Sequence, residues 1–479
     1  MNFLFRLFFV VACISVSISS IAQRSIKWTP DGTAYYANEK GVLVKYQLPS
    51  FTRKEIIQPS QLTPEGKDKP LTVRDFFFSN DGKTVLIYTN TKRVWRMDTR
   101  GDYWLLNTAN NTLKQLGKDK PASSLMFAKI SPDGKKVAYV SGHNIYMEDI
   151  ESGKTTALTI DGTDRLINGT FDWVYEEEFG CRDGFRWSPD SKSIAYWQID
   201  ATKIRNFLMI NNTDSLYPFT IPVEYPKAGE DPSACKVGVV SLATAQTTWM
   251  NVPGDSRQHY IPAMEWSGTA VMLEQLNRKQ NEAKVFLCDA TNGETKMIYT
   301  EKNNSWIDVE PTKDNGWRWI NKGKEFLWIS EKDGWRHLYR ISANGEKETV
   351  VTKGDYDMIN LKAVDEKNGY VYFMASPSNA TQQYLYRTLL NGKGKLELLS
   401  PANEQGTHNY TLSPTGKFAN HNFSNHKNQQ VSEWVSFPGH KTIKESVRKM
   451  ETSGAVEMIQ VTTEDNVTMD GWMIKPTNF

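Results

Sequence analysis

The sequence has few cysteines and no strong excess of charge of either sign. Its four cysteines are Cys13, Cys181, Cys235 and Cys288. The last three are too far apart for a disulfide framework or a zinc site, so buried or free thiols with at most one bridge are favoured. The 57 Lys and Arg residues nearly balance the 55 Asp and Glu residues. Without a basic stripe, nucleic acid is not an expected partner.

Sequence motifs for cofactors and for a serine nucleophile are also missing. No phosphate-binding loop, zinc motif or Rossmann fingerprint occurs, so no cofactor and no metal site is predicted. His421 and His426 come nearest to a metal pair, but they lack a carboxylate partner at helical spacing, and a loop is the favoured interpretation. Because no Gly-x-Ser-x-Gly elbow is present, no catalytic residue is assigned in this chain.

Long hydrophobic runs are missing except at the N-terminus. Residues 1–6 carry one positive charge, residues 7–18 are mostly apolar, and Ser20 and Ala22 are small residues preceding Gln23. This pattern predicts a signal peptide over residues 1–22, and the run is too short for a confident membrane span. A lipoprotein cleavage box ending at Cys13 is the alternative. Either interpretation predicts export to the periplasm or the exterior, with a lipid anchor in the second case.

Aromatic residues are abundant, with 15 Trp, 20 Tyr and 21 Phe, and a turn signature recurs along the chain. Aromatic residues favour strands, which indicates an all-β protein. The signature is an aromatic or apolar residue, a small polar residue, Pro or Asn, Asp and Gly. Units begin at Trp28, Phe78, Ile130 and Trp187, with weaker copies at Trp266, Trp319, Ala363 and Leu412.

Most of these eight units lie about 50 residues apart, each followed by alternating strands, which is typical of β-propeller blades. A β-sandwich with turns that are similar by chance is the alternative. The sequence therefore predicts an eight-bladed β-propeller over residues 23–450. The longest interval contains an excursion from Thr202 to about Ala263, and insertions in repeat folds form loops that carry function.

An acidic segment lies between the third and fourth units and reads Asp172-Trp173-Val174-Tyr175-Glu176-Glu177-Glu178. Runs of acids usually face solvent, but these follow aromatic residues that give the segment something to bury. Two carboxylates fixed at one point are a good receptor for a primary ammonium group. Because neighbouring residues of a strand face opposite ways, we expect a short helix here, with Asp172 as its N-cap.

These residues resemble the dipeptidyl peptidase IV family of the prolyl oligopeptidase clan, from about residue 25 to the end of the chain. The acidic string is the most specific match. Further matches are Asn168-Gly169, Trp187-Ser188-Pro189, Ala195-Tyr196, Tyr225-Pro226-Lys227-Ala228-Gly229, Trp95-Arg96 and Gly334-Trp335-Arg336-His337.

The resemblance implies an eight-bladed propeller that covers an α/β-hydrolase domain, and release of N-terminal dipeptides with Pro or Ala as the second residue. It implies that Glu177 and Glu178 bind the free α-amino group of a peptide substrate and that Arg96 contacts the substrate backbone and the glutamates. The family has a second arginine, which the sequence does not assign between Arg318 and Arg336. Glu176 is expected to face elsewhere. A homodimer of the full-length protein is also implied.

The expected Ser-Asp-His triad would lie beyond Phe479. Residues 451–479 are interpreted as the first strands of a truncated hydrolase domain, and this chain alone is expected to be inactive. Repulsion between the paired carboxylates is expected to raise the pKa of at least one, with Arg96 as the offsetting charge. Alternatives are a non-catalytic propeller that binds peptides or proteins, and an endo- or acyl-peptidase, which would have no receptor for an amine.

Overall fold

The structure is a computed structural model that describes residues 26–309, 317–427, 429–450 and 456–476. The predicted signal peptide, with Cys13, lies outside these residues, as does Phe479. None of the helices in the described ranges is long and apolar enough to cross a membrane. Cys181, Cys235 and Cys288 are buried free thiols, as the wide spacing of the cysteines indicated.

Nearly all regular structure in these ranges is antiparallel β-sheet, as the aromatic content predicted. The first sheet consists of β1 (Lys27–Trp28), β2 (Ala34–Glu39), β3 (Val42–Gln47) and β4 (Thr52–Ile57). An eight-stranded sheet follows. It contains β5 (Asp75–Phe78), β6 (Thr84–Val94), β7 (Met97–Asn107), β8 (Leu113–Gln115), β9 (Leu125–Ile130), β10 (Lys136–Ser141), β11 (Asn144–Asp149) and β12 (Thr155–Ala157).

The next part of the chain holds the acidic segment and the insertion. Its elements are β13 (Leu166–Asn168), α1 (Trp173–Phe179), β14 (Phe185–Trp187), β15 (Ser193–Asp200), β16 (Asn206–Asn211), β17 (Phe219–Glu224), β18 (Ala234–Ser241) and β19 (Thr247–Trp249). Strands β16 and β17 form a separate hairpin, whereas β18 pairs with β15 and β19. The insertion is therefore shorter than predicted, because the chain has rejoined the sheet by Ala234.

Four four-stranded sheets and a final hairpin complete the described chain. The sheets are β20 (His259–Ser267), β21 (Ala270–Asn277), β22 (Glu282–Asp289) and β23 (Thr295–Lys302); β24 (Arg318–Ile320), β25 (Glu325–Ser330), β26 (His337–Ser342) and β27 (Glu348–Val350); β28 (Met358–Asp365), β29 (Tyr370–Ala375), β30 (Tyr384–Leu389) and β31 (Glu397–Leu398); and β32 (Thr407–Leu412), β33 (Phe418–Ser424), β34 (Gln429–Ser436) and β35 (Lys441–Met450). The hairpin is β36 (Val456–Thr462) with β37 (Thr468–Ile474).

Each of the eight predicted turns lies between two antiparallel strands that pair with each other. In the turn after β9, Ser131 Oγ donates to Asp133 Oδ1 over 2.6 Å, and Lys135 N donates to the same oxygen over 3.1 Å. Gly134 closes the turn with φ of 73°, a conformation that costs glycine least. The serine–aspartate bond recurs in Ser79–Asp81 and Ser188–Asp190. The repeated turn signature therefore marks the connections between paired strands correctly.

The hydrophobic core lies between neighbouring sheets, and the first sheet also packs against the last. Leu43 and Ile57 of the first sheet share a cluster with Val85 and Leu106 of the second. At the other face, Tyr35 packs with Phe418 and Trp434 of the last sheet, in a cluster that also includes Leu48. The series of sheets therefore closes on itself, as in a β-propeller, in which each sheet covers its neighbour.

Candidate functional site

The acidic segment forms the single α-helix in the described ranges, α1, and its ends are fixed by capping residues. Asp172 Oδ1 accepts a hydrogen bond from Tyr175 N over 3.1 Å, and Oδ2 accepts one from Ser233 Oγ over 2.6 Å. Gly180 ends the helix with φ of 64°. An aspartate N-cap and a C-terminal glycine are strong boundaries for so short a helix. The predicted helix and its N-cap are confirmed.

Aromatic side chains of the segment anchor α1 in the core. Tyr175 and Phe179 are both 1% exposed, and their rings lie 5.6 Å apart. Tyr175 Oη also accepts a hydrogen bond from Ile261 N of β20 over 3.1 Å. Phe171 stacks on Tyr175 with ring centroids 5.4 Å apart. Burial on this side leaves Glu177 and Glu178 on the more open faces of the helix.

Glu176 is buried and turns away from its two neighbours, as expected. Its Oε2 lies 3.2 Å from Arg182 Nε, and the side chain is only 6% exposed. Burial raises the pKa of Glu176 to about 7, since a low-dielectric environment disfavours the charged form and Arg182 offsets only part of this cost. Burial is therefore the main cause of the raised pKa of Glu176, ahead of the repulsion from Glu177.

Glu177 is paired with Arg96, which the sequence analysis had assigned to the same site. Arg96 Nε lies 2.8 Å from Glu177 Oε1 and donates also to Oε2 over 3.1 Å. Arg96 follows Trp95 in the turn between β6 and β7, and its side chain is 72% exposed. The hydrogen bond from Arg96 lowers the pKa of Glu177, which keeps this carboxylate ionised at neutral pH.

Glu178 is exposed and contacts a residue that the sequence analysis missed. Its Oε1 accepts a hydrogen bond from Gln280 Nε2 over 2.6 Å. Gln280 lies in the turn between β21 and β22 and is 6% exposed. Its backbone carbonyl oxygen accepts a hydrogen bond from Ile307 N over 2.7 Å. A lone glutamine in a turn carries no motif, so only the assembled sheets reveal it.

The site thus brings together three elements that are distant in sequence. Consecutive glutamates of α1 contact Arg96 on one side and Gln280 on the other. Arg96 supplies one positive charge against the two negative charges of ionised Glu177 and Glu178. The three side chains together therefore keep a net negative charge. An arrangement of this kind can accept the hydrogen bonds of a protonated amine, which has donors and no acceptor.

A neighbouring cavity of about 680 Å³ begins at the C-terminal end of α1. It is lined by Gly180, Arg182, Asp183, Arg186, Trp197, Glu265 and Arg318, among others, and by none of Glu177, Glu178 and Arg96. The site is therefore at the edge of this cavity rather than in it.

Neither arginine considered for the family's second contact can be assigned to the glutamates. Arg318 Nη2 lies 3.2 Å from Glu366 Oε1, although its side chain also lines the cavity. Arg336 Nη1 donates to the carbonyl oxygen of Met358 over 2.8 Å. Both arginines therefore contact the neighbouring sheet, at β28 or in the turn that follows it.

The prediction that His421 lies in a loop was wrong. His421 is in β33 and is fully buried, whereas His426 lies in an exposed turn. The two histidines therefore do not form one group. A carboxylate partner of His421 does exist, Glu433, but it comes from the neighbouring strand β34, where helical spacing could not reveal it.

Comparison with known proteins places the chain in a family. Residues 79–430 match the family described as the dipeptidyl peptidase IV (DPP IV) N-terminal region. The chain belongs to the dipeptidyl peptidase IV family. Among curated relatives, dipeptidyl peptidase 4 of Trichophyton rubrum is 26% identical over 419 residues, which are 85% of this chain and 52% of the relative. The probable dipeptidyl peptidase 4 of Emericella nidulans is 26% identical over 393 residues, 78% of this chain and 49% of the relative.

Solved structures of the family share the fold. The crystal structure of Porphyromonas gingivalis dipeptidyl peptidase 4 has a TM-score of 0.86 at 24% identity, covering 95% of this chain and 65% of that one. A putative dipeptidyl aminopeptidase IV from Bacteroides ovatus has a TM-score of 0.73 at 20% identity with the same coverage. The chain spans about half the length of the curated relatives that it matches.

Proposed function

We propose that this chain is the substrate-gating propeller of an exported serine-type dipeptidyl peptidase, and that it recognises the free N-terminus of peptides. The enzyme would release X-Pro and X-Ala dipeptides. The observation that carries the proposal is the geometry of α1: a capped, anchored helix presents Glu177 and Glu178 to separate partners, Arg96 and Gln280. Such fixed carboxylates can accept hydrogen bonds from a peptide ammonium group.

The proposed recognition is electrostatic and depends on the charge of the amine. Each charge-assisted hydrogen bond contributes about 1.5–3 kcal/mol. Because a free α-amino group has a pKa of about 7.7–8.0, kcat/KM of the whole enzyme should fall above about pH 8. Arg96 would contact the substrate backbone with donors that do not face Glu177, since guanidinium has five N–H groups.

Binding of the substrate's amine would also account for the release of a dipeptide. A peptide whose amine is held by Glu177 and Glu178 can extend only two residues before its scissile bond reaches the nucleophile. The nucleophile, a histidine base and an oxyanion hole would belong to an α/β-hydrolase domain that begins with residues 451–479. The described part of these residues is the hairpin β36–β37. On this proposal the 479-residue chain alone binds peptides without hydrolysing them.

The proposed domain organisation follows the sequence units. We propose that residues 23–450 form eight blades, with the eight-stranded sheet counted as two blades that are joined where β7 pairs with β9. Residues 1–22 would direct export to the periplasm or the exterior, with the lipoprotein form as the alternative. Mass spectrometry of the secreted protein tests this, since the mature N-terminus would be Gln23 or a lipidated Cys13.

The hairpin β16–β17 supports a homodimer of the full-length protein. Within the ranges that the structure describes, its two strands pair only with each other. Apolar side chains such as Ile210, Leu216 and Tyr217 are 73%, 92% and 79% exposed. Exposed apolar groups of this kind mark protein interfaces. Sedimentation should show dimers that dissociate more readily when Ile210 is replaced by Ser.

The decisive experiment compares free and blocked peptides. Isothermal titration of this chain with a Gly-Pro peptide should show binding that N-acetylation abolishes. Glu177→Gln and Glu178→Gln should each weaken binding at least tenfold, because each loses a charged acceptor. Glu55→Gln is the matched control, since Glu55 forms a similar exposed pair with Arg53 in the first sheet, 2.7 Å apart.

Equal affinity for free and acetylated peptides would contradict the proposal. That result would favour the alternative function, a non-catalytic propeller that binds peptides or partner proteins by other surfaces. The same conclusion would follow if the sequence of the whole protein lacked a serine elbow.

A further inference from the structure

The last sheet contains a cluster of histidines and a glutamate that is remote in sequence from α1. His421 of β33 is the cross-strand neighbour of Glu433 of β34 on one side and of Tyr410 of β32 on the other. His408 stacks on His421 with ring centroids 5.1 Å apart. His440 lies in the turn between β34 and β35 and meets His421 edge-on at 4.8 Å. The ladder therefore fixes these side chains on one face.

Four groups of this cluster form a continuous chain of hydrogen bonds. The carbonyl oxygen of Glu404 lies 2.7 Å from His408 Nε2. His408 Nδ1 lies 2.9 Å from His421 Nε2, and His421 Nδ1 lies 2.9 Å from Glu433 Oε1. His408 and His421 are fully buried and Glu433 is 1% exposed, so water does not replace any of these contacts.

Counting hydrogens shows that this series of hydrogen bonds needs one more proton or metal ion than two neutral imidazoles supply. A backbone carbonyl and a carboxylate can only accept, and each neutral imidazole supplies one N–H. His408 Nε2–H can donate to Glu404 O, and His421 Nε2–H can donate to His408 Nδ1. The lone pair of His421 Nδ1 then faces the carboxylate of Glu433. Two acceptors at 2.9 Å repel unless a cation, either a proton or a metal ion, lies between them.

A third ligand faces the same point. A nitrogen of His440 lies with the ligand atoms of His421 and Glu433 in a group whose members are all within 4.8 Å of one another. Tyr410 Oη donates to Ser400 Oγ over 3.0 Å and lies 2.9 Å from His440 Nε2. With its own hydrogen donated to Ser400, Tyr410 accepts from His440 Nε2–H, so the lone pair of the neutral His440 ring is on Nδ1.

We propose that His421, Glu433 and His440 bind one divalent transition metal ion of the zinc class. Two histidines and a carboxylate are a common zinc ligand set, with bonds of about 2.0–2.2 Å. Ligand atoms around such an ion lie about 3.3 Å apart. His421 and Glu433 therefore need to separate by a few tenths of an ångström, and His440 needs to approach them from a distance of up to 4.8 Å. The hydrogen bond from His421 to His408 then fixes the ring, as outer ligand-supporting contacts do in zinc sites.

The surroundings leave a path by which an ion can enter. His440 is half-buried beside exposed Pro438 and Gly439, which leaves an approach from solvent. Arg448 is a positive charge that competes for the same carboxylate, with its Nη2 4.0 Å from Glu433 Oε2. That guanidinium is already paired with two other carboxylates, Glu404 at 3.3 Å and Glu445 at 2.8 Å.

The test is metal binding by the purified protein after removal of metals with a chelator. Titration with Zn²⁺ should show one equivalent bound. Co²⁺ should give the visible absorption of a four-coordinate nitrogen and oxygen site, and Zn²⁺ should abolish it. Glu433→Gln and His440→Asn should each weaken binding at least tenfold. His426→Asn should have no effect, since His426 is exposed on a turn outside the cluster.

His440→Asn is the variant that keeps the test decisive if the buried change at Glu433 prevents folding. Asn tolerates the left-handed backbone of His440, whose φ is 48°, so the turn is retained. The absence of a stoichiometric ion in the wild-type protein would overturn the proposal and leave a proton between His421 and Glu433. Unchanged binding in the folded His440→Asn variant would also overturn it.

Discussion

Tyr35 of the first sheet stacks on Trp434 of the last sheet, with ring centroids 4.4 Å apart and planes inclined by 16°. Trp28 and Phe51 approach the same indole edge-on, at 5.8 and 5.7 Å. Residues from the two ends of the propeller therefore meet in one aromatic cluster. Since the described sheets are otherwise packed in sequence order, this contact is what makes the arrangement a ring.

Removal of the closing indole should destabilise the protein strongly. Trp434 is 7% exposed, and we expect Trp434→Ala to cost about 3–5 kcal/mol of unfolding free energy. Denaturant unfolding measures the change. Trp472→Ala is the control, because Trp472 is 68% exposed in β37 and its loss should change stability by less than about 0.5 kcal/mol. Equal effects of the two substitutions would show that the ring is not closed by this contact.

The N-cap of α1 should be required for peptide binding as well as for stability. Asp172→Ala removes the bonds from Tyr175 N and Ser233 Oγ, and should cost about 1–2 kcal/mol of stability. Binding of a free-amine peptide, measured by titration calorimetry, should weaken because the glutamates lose their support.

The matched substitution is Asp190→Ala, which removes a serine–aspartate bond in a turn away from α1. It should reduce stability without changing peptide affinity. Wild-type affinity in a folded Asp172→Ala protein would mean that the helix cap does not orient Glu177 and Glu178.

Arg96 should control the protonation of its partner. We expect Arg96→Gln to raise the pKa of Glu177 towards the ordinary glutamate range, because the guanidinium is the main cause of the lowered value. NMR titration of the side-chain carboxyl measures this pKa. Arg93→Gln, in the same hairpin and equally exposed at 72%, should leave it unchanged. A pKa that stays low without Arg96 would require a different source of positive charge at the site.

Burial of Glu176 should make stability decrease with rising pH. Its pKa is raised to about 7 in the folded protein, above the ordinary value of 4.5. Between these values the unfolded chain loses its proton while the folded chain keeps it, so unfolding becomes more favourable as pH rises from about 4.5 to 7. The glutamine of Glu176→Gln does not titrate. The melting temperature of this variant should therefore rise relative to that of the wild type as pH increases over this range.

Glu177→Gln supplies the comparison for this pH experiment. The pKa of Glu177 is lowered, so its contribution is present above the ordinary glutamate range and is lost as pH falls through the folded value. The difference between Glu177→Gln and wild type should therefore stay constant from pH 5 to 7. A constant difference for Glu176→Gln as well would show that Glu176 is ionised in the folded protein.

The sequence predicted the strand order and helix α1 because both depend on local chemistry. Turn residues such as Asp133 and Gly134 set backbone geometry within a few positions, and Asp172 and Gly180 bound the helix in the same way. The contact between Arg96 and Glu177 was anticipated from the family resemblance rather than from spacing.

Contacts made across sheets were not accessible from the sequence. Gln280 meets Glu178 only after separate sheets have packed, and no pattern distinguishes it from other turn glutamines. Glu433 is twelve residues from His421 and becomes its partner through strand register. Register and sheet packing are set by the whole fold, so periodicity along the chain does not reveal these pairs.

Ring closure through Trp434 also has a consequence for biosynthesis. The apolar side of the first sheet, at Tyr35 and Leu48, is covered by residues that leave the ribosome nearly 400 positions later. Until then this surface stays available for wrong partners, and long-range pairing of this kind is slow. The nascent N-terminal strands therefore depend on protection, and chains terminated before Trp434 should be substrates for chaperones and proteases.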